Sequence, residues 1–171
     1  MTTSNFSATE WRIVSAMERE ICGSHMREIP VRMSRLASDL GVRVHSATLP
    51  SGISGELRPC DESPSGFKIR VNRHENKKRQ RFTVAHELGH FLLHKDLVAD
   101  GIVDNVLYRS TLSNKIEAQA NRVAADLLMP RLTISNWLLA NFDDEPEEND
   151  LDYISQEWKV SKVAVKIRLD I

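Results

Sequence analysis

The sequence predicts an α+β fold: a short β-sheet packed on one central helix, followed by a helical C-terminal extension. Three observations predict it. Two stretches, 42–49 (VRVHSATL) and 66–72 (GFKIRVN), alternate apolar and polar residues with the period of strands. Apolar positions at helical spacing precede and follow them. The 171 residues suffice for one compact domain, or one domain with a small appendage.

Residues 8–22 carry Trp11, Ile13, Val14, Ala16, Met17 and Ile21 at helical spacing, and Gly23 is the expected stop. A second helix is expected over 30–40, with Pro30 in its first turn and Val31, Leu36 and Leu40 on one side. Gly41 ends it. The strand 42–49 follows. The Pro-, Gly- and Ser-rich stretch 50–66 reads as turns or a hairpin connection. After the strand 66–72 come helices over about 76–94, 114–129 and 131–142, with a loop region before Ser113. Pro130 closes the second of these helices. The acidic run 143–150 is a solvated connector, and 151–169 reads as two short helices broken near Lys159–Ser161. Residues 1–130 are thus expected as the main domain and 131–171 as an extension packed on the same core.

Composition narrows the class. The chain is 41% hydrophobic and 27% charged, with a formal net charge of −1. That is ordinary for a soluble globular protein and draws it neither to DNA nor to an anionic membrane. No apolar stretch approaches membrane-spanning length, and the first residues lack a secretion-signal pattern. Cys22 and Cys60 lack the close pairing of a thiolate metal site and are expected as free thiols in a reducing cytoplasm.

The chemistry centres on RFTVAHELGHFLLH, residues 81–94. Within it, His86-Glu87-Leu88-Gly89-His90 has the form H-E-x-x-H. Residues four apart on a helix lie on one face, so two imidazoles so placed converge on one ion. The residue after the first histidine is turned by about 100°. It stands beside the ligands without touching the ion, where a base for a reacting water belongs. Val84, Leu88, Phe91 and Leu92 fall on the opposite, buried side. Gly89, near the histidine face, suits a close approach by another element.

A catalytic zinc site usually takes three protein ligands. His94 would place three histidines along roughly 12 Å of one helix, too far for one ion, and is expected as a helix-end or supporting residue. Glu117 is the better third ligand. On a helical wheel it shares a face with Asn121, Ala124 and Leu128, where an unpaired carboxylate would be costly to bury. Gln119, Arg122 and Asp126 fall on the other side, with Arg122 and Asp126 spaced as a surface ion pair. Ala118, Ala120, Ala124 and Ala125 would let this helix come close to its neighbour.

RFTVAHELGHFLLH followed by EAQANRVAADLLMP closely resembles the ImmA/IrrE family of bacterial metallopeptidases. The family pattern is R-F-T-x-A-H-E-x-G-H, then E-x-x-A-N-x-F-A-A-x-L-L-M-P. Val123 stands where the family usually has an aromatic residue. The match is dense over 81–94 and 117–130 and looser over 28–80. The resemblance implies a small zincin-like α+β domain of the gluzincin type, with one Zn2+ held by His86, His90 and Glu117 and with Glu87 as general base. It also implies a protein substrate, an XRE-type helix-turn-helix repressor whose cleavage derepresses genes. Tyr108 and Arg109, between the two motif helices, are candidate oxyanion donors, and Asn121 is a candidate to orient a ligand. If the strand 66–72 forms a sheet edge beside the cleft, an extended substrate adds to it.

Two rival readings follow from the residues. The tail resembles half of a helix-turn-helix, with Ile154, Trp158, Val163 and Ile167 inward, Ser161 as N-cap, and Lys162, Lys166 and Arg168 exposed. The expectation is nonetheless no direct nucleic-acid binding, because the chain is not basic. The other rival is a non-catalytic zinc module, in which Glu87 would have no purpose.

Overall fold

The computed structural model describes residues 4–99 and 111–171. A 3-10 turn, Thr9–Arg12, leads into α1 (Ala16–His25) and α2 (Met33–Asp39). The strands β1 (Arg43–Ala47), β2 (Gly55–Pro59) and β3 (Phe67–Asn72) follow, then the long helix α3 (Lys77–Ala99). The chain continues with α4 (Thr111–Leu128), α5 (Arg131–Asn141), a 3-10 turn at Glu148–Asp150, α6 (Leu151–Glu157) and α7 (Lys162–Leu169). This is the expected α+β architecture: a three-stranded sheet, a zincin-like pair of motif helices and a helical extension.

Several elements differ from the sequence reading. The apolar run 8–22 does not form one helix: Ser15 caps a new start, accepting from Glu18 N–H while the Glu18 carboxylate accepts from Ser15 N–H. Gly23 lies inside α1, where a Cβ would come within 3.2 Å of the Phe6 ring. Pro30 precedes α2 rather than opening it.

The stretch 50–66 contains a full strand, β2. The sheet order is β1-β3-β2, with β1 parallel and β2 antiparallel to β3. The strand 66–72 is therefore central, and the expectation that it forms the edge is overturned. Its buried Ile69 and Val71 explain why: they face the core against α3. The two edge strands are β1 and β2. Bonds from Asn72 N–H to Ser54 C=O and from Cys60 N–H to Gly66 C=O set the ladder. In an antiparallel pair this leaves the N–H and C=O of Gly55 and Leu57 facing away from β3.

One hydrophobic cluster runs through both parts of the chain, joining Leu36, Ile69, Leu88, Val123 and Leu127 to Ile154, Trp158 and Val165. Val84, Leu88, Phe91 and Leu92 of α3 are buried as expected. In α7, however, Val163 and Ile167 are 65% and 76% exposed, and Val165 takes the inward position. Arg168 also turns inward. Its Nε–H donates to Met129 C=O at 2.7 Å, and its Nη2 pairs with Asp126 at 2.8 Å. The expected Arg122–Asp126 surface pair is likewise absent. Asp126 is fully buried and accepts from Ser7 N–H, Ala8 N–H and the Trp11 indole N–H, while Arg122 pairs with Glu10. A buried carboxylate needs charge-assisted partners, and that need sets the rotation of α7. Cys22 and Cys60 are both free, and burial pushes the Cys22 thiol up to about 12. Among the described residues, no helix is long and apolar enough to cross a membrane.

Candidate metal centre

The site forms where α3 and α4 cross. Gly89 allows the crossing: a Cβ there would stand 2.7 Å from the Ala120 carbonyl oxygen and 3.0 Å from its Cα. Backbone therefore packs on backbone, and the fully buried Ala120 and Ala124 keep the α4 side equally flat. The crossing brings Glu117 to the two motif histidines, although they are far apart in sequence.

Three side chains meet at one point. His86 Nε2 is 3.1 Å from Glu117 Oε2, His90 Nε2 is 3.2 Å from Glu117 Oε1, and the two Nε2 atoms are 3.0 Å apart. Among the described residues, this trio forms a group of ligand types close enough to hold one ion. Ligand atoms each about 2.0–2.1 Å from a tetrahedral zinc stand roughly 3.3–3.4 Å apart, near the separations found. The donor chemistry fits as well. His86 Nδ1 lies 2.9 Å from Asn121 Oδ1. If Nδ1 carries the proton and donates it there, the Nε2 lone pair is left facing the centre. His90 Nδ1 lies 3.2 Å from His94 Nδ1.

Electrostatics couple the trio. Hydrogen bonds from His86 and then His90 hold the Glu117 carboxyl far below the usual carboxylate range. Burial works against protonation of His86, but the Glu117 hydrogen bond and the charges of Glu87 and Glu117 outweigh it and raise its pKa. Glu87 is buried beside the trio, and burial pushes its carboxyl up despite the neighbouring histidines.

A cleft of about 760 Å3 opens over these groups. One wall is the segment Gly52–Arg58; the other carries Arg79, Phe82, Thr83, Glu117 and Asn121. Sequence reasoning missed the β2 wall. A Cβ on Gly55 would overlap Thr83 Cγ2 at 2.3 Å and lie 3.7 Å from Glu87 Cγ, so this glycine is what lets the strand lie against the motif helix. The signal was present: Ile53, Gly55 and Leu57 alternate with Ser54, Glu56 and Arg58. Gln119, placed on the far side by the helical wheel, accepts at 3.2 Å from His94 Nε2. Tyr108 and Arg109 lie outside the described residues.

The chain resembles known proteins over part or most of its length. It is 36% identical over 78 residues to the metallopeptidase ImmA of Bacillus subtilis, covering 46% of this chain and 43% of that protein. It is 38% identical over 77 residues to the radiation response metalloprotease IrrE of Deinococcus radiodurans, covering 44% of this chain and 23% of that protein. The alignments thus span less than half the length of either relative. A Mycobacterium tuberculosis chain described as a transcriptional regulator shares the fold, with a TM-score of 0.57 and 20% identity, over 90% of this chain and 45% of its own. The model of the peptidase family described as the IrrE N-terminal-like domain matches residues 37–170, and the chain belongs to that family.

Proposed function

We propose that this chain is a zinc-dependent endopeptidase in which His86, His90 and Glu117 hold the metal and Glu87 is the general base. The observation that carries the reading is the convergence of two Nε2 atoms and one carboxylate within 3.2 Å of one another, beside a second, buried carboxyl, Glu87. Bound there, a zinc ion supplies Lewis acidity to a peptide carbonyl and lowers the pKa of water.

The chain's own residues do the rest. Glu87, its pKa raised by burial, takes the proton of the attacking water and returns it to the leaving amine. Asn121 holds His86 in the tautomer that presents Nε2. The free edge of β2 offers the N–H and C=O of Gly55 and Leu57 to an extended substrate, which would lie as an added strand along the cleft. Tyr108 or Arg109 remains the proposed oxyanion donor.

The substrate we infer is a helix-turn-helix repressor of the XRE type, cleaved in the cytoplasm. Support comes from the dense motif match to the ImmA/IrrE pattern. The test is co-expression of the chain with such a repressor taken from its genomic neighbourhood. Wild-type chain should shorten the repressor, and Glu87→Gln should not. An intact repressor with wild type rejects the substrate. Cleavage that persists in Glu87→Gln rejects the role of Glu87 and favours a non-catalytic module. For direct DNA binding the tail offers little free charge: Lys162 pairs with Asp152, Lys166 with Glu148 and Arg168 with Asp126.

A further inference from the structure

Resting on the metal-site reading above, we propose that Gln119 and His94 are positioning residues, forming a proton-ordered chain that fixes the tautomer of His90. The chain runs from α4 into α3 and back to the centre. Gln119 Oε1 lies 3.2 Å from His94 Nε2, and His94 Nδ1 lies 3.2 Å from His90 Nδ1. His90 and His94 are 4% and 7% exposed, so water competes poorly for these bonds.

The direction of the protons follows from one requirement. To act as a ligand through Nε2, His90 must carry its proton on Nδ1. That N–H then donates to His94 Nδ1, which must be unprotonated. Neutral His94 consequently carries its own proton on Nε2, and that N–H needs an acceptor. Gln119 Oε1 is the acceptor. Each ring has one donor and one acceptor, and the amide oxygen at the end sets them all. His86 reaches the same tautomer through a single link, Asn121. Both ordering groups lie on α4, one on each side of Ala120, the residue on which Gly89 packs. The helix that brings Glu117 also sets the protonation pattern of both histidines.

The test is zinc affinity of the full chain, measured by competition with a chromophoric chelator, with the Co2+ absorption spectrum as a second readout. Gln119→Glu keeps an acceptor and should stay within about threefold of wild type. Gln119→Leu removes it and should weaken binding about 10–100-fold, the usual cost of losing such a partner. Gln119→Lys offers only donors and should be worse still, with an altered Co2+ spectrum. A double-mutant cycle separates ordering from packing. In a His94→Asn background, where an amide oxygen accepts from His90 without help, Gln119→Leu should cost less than threefold.

Equal affinities across Glu, Leu and Lys, or an unchanged Leu effect in the His94→Asn background, would overturn the proposal. If Gln119→Lys fails to fold, the Glu–Leu comparison and the cycle decide it. Wild type that takes up no zinc, or uptake indifferent to Glu117→Ala, would reject the metal-site reading itself, and the chain of positioning residues with it.

Discussion

Gly89 and Ala120 touch backbone to backbone: a methyl group on Gly89 would sit 2.7 Å from the Ala120 carbonyl oxygen. Gly89→Ala should raise intrinsic helix stability by about 1 kcal/mol. It should also force α3 and α4 apart, and overpacking of this kind costs about 1–3 kcal/mol. No flexible side chain is there to give way, so the larger cost should apply, and the net expectation is a loss of about 2 kcal/mol. Glu117 would move from the histidines at the same time. Urea unfolding and zinc affinity should therefore both fall. A variant as stable as wild type, with unchanged affinity, would mean the crossing is looser than described.

The metal and the base should be separable. Dialysed wild-type protein should retain roughly one zinc per chain, measured by elemental mass spectrometry. Glu117→Ala should lose most of it. Glu87→Gln, which preserves volume and removes only the base, should keep the metal and lose about 10²–10⁴-fold in peptide hydrolysis. Metal loss in the Glu87 variant would make that residue a ligand rather than a base.

Asp126 fastens the N-terminal segment and α7 to α4. It accepts from Ser7 and Ala8 N–H and from the Trp11 indole, and it pairs with Arg168. The Arg168 side chain is 7% exposed, so Asp126→Asn would leave a buried guanidinium without its counter-charge. Breaking such a pair costs about 3–5 kcal/mol. Equilibrium unfolding should show that loss. Hydrogen exchange should show weaker protection at Ser7 and Ala8. A change under 1 kcal/mol would mean that Arg168 finds another partner.

Glu10 gives the stability a defined pH dependence. The hydrogen bond from Arg122 holds its carboxyl below the ordinary value of 4.5, against the opposing effect of burial. A depressed folded pKa contributes stability that is present above the unfolded value and lost as pH falls through the folded one. Wild type should therefore exceed Glu10→Gln in stability near neutrality, and the gap should close below pH 4.5. Denaturation midpoints measured at several pH values would check this. A gap independent of pH would point to packing rather than charge.

The sequence by itself determined the class of fold, the two motif helices, the face of α3 that carries His86 and His90, and the need for a small residue at Gly89. These are local matters: helical periodicity places His86 and His90 on one face regardless of what surrounds them. Glu117 was legible for a related reason, since a carboxylate on an otherwise apolar face needs a compensating partner. Only the tertiary structure decided the rest. The alternation across Gly55–Pro59 is short and buries only Leu57, so pairing with β3 is what makes it a strand. Val163 and Ile167 have helical spacing suited to burial, yet they face outward. Buried Asp126 draws Arg168 inward and turns α7 with it. Gln119 lies across the helical wheel from Glu117, yet it reaches His94 because α4 packs between α3 and the N-terminal turn and so presents two faces to partners. A wheel assigns each residue a direction. Which directions are occupied depends on contacts between segments far apart in the chain, and burial and charge pairing settle those only once the fold has closed.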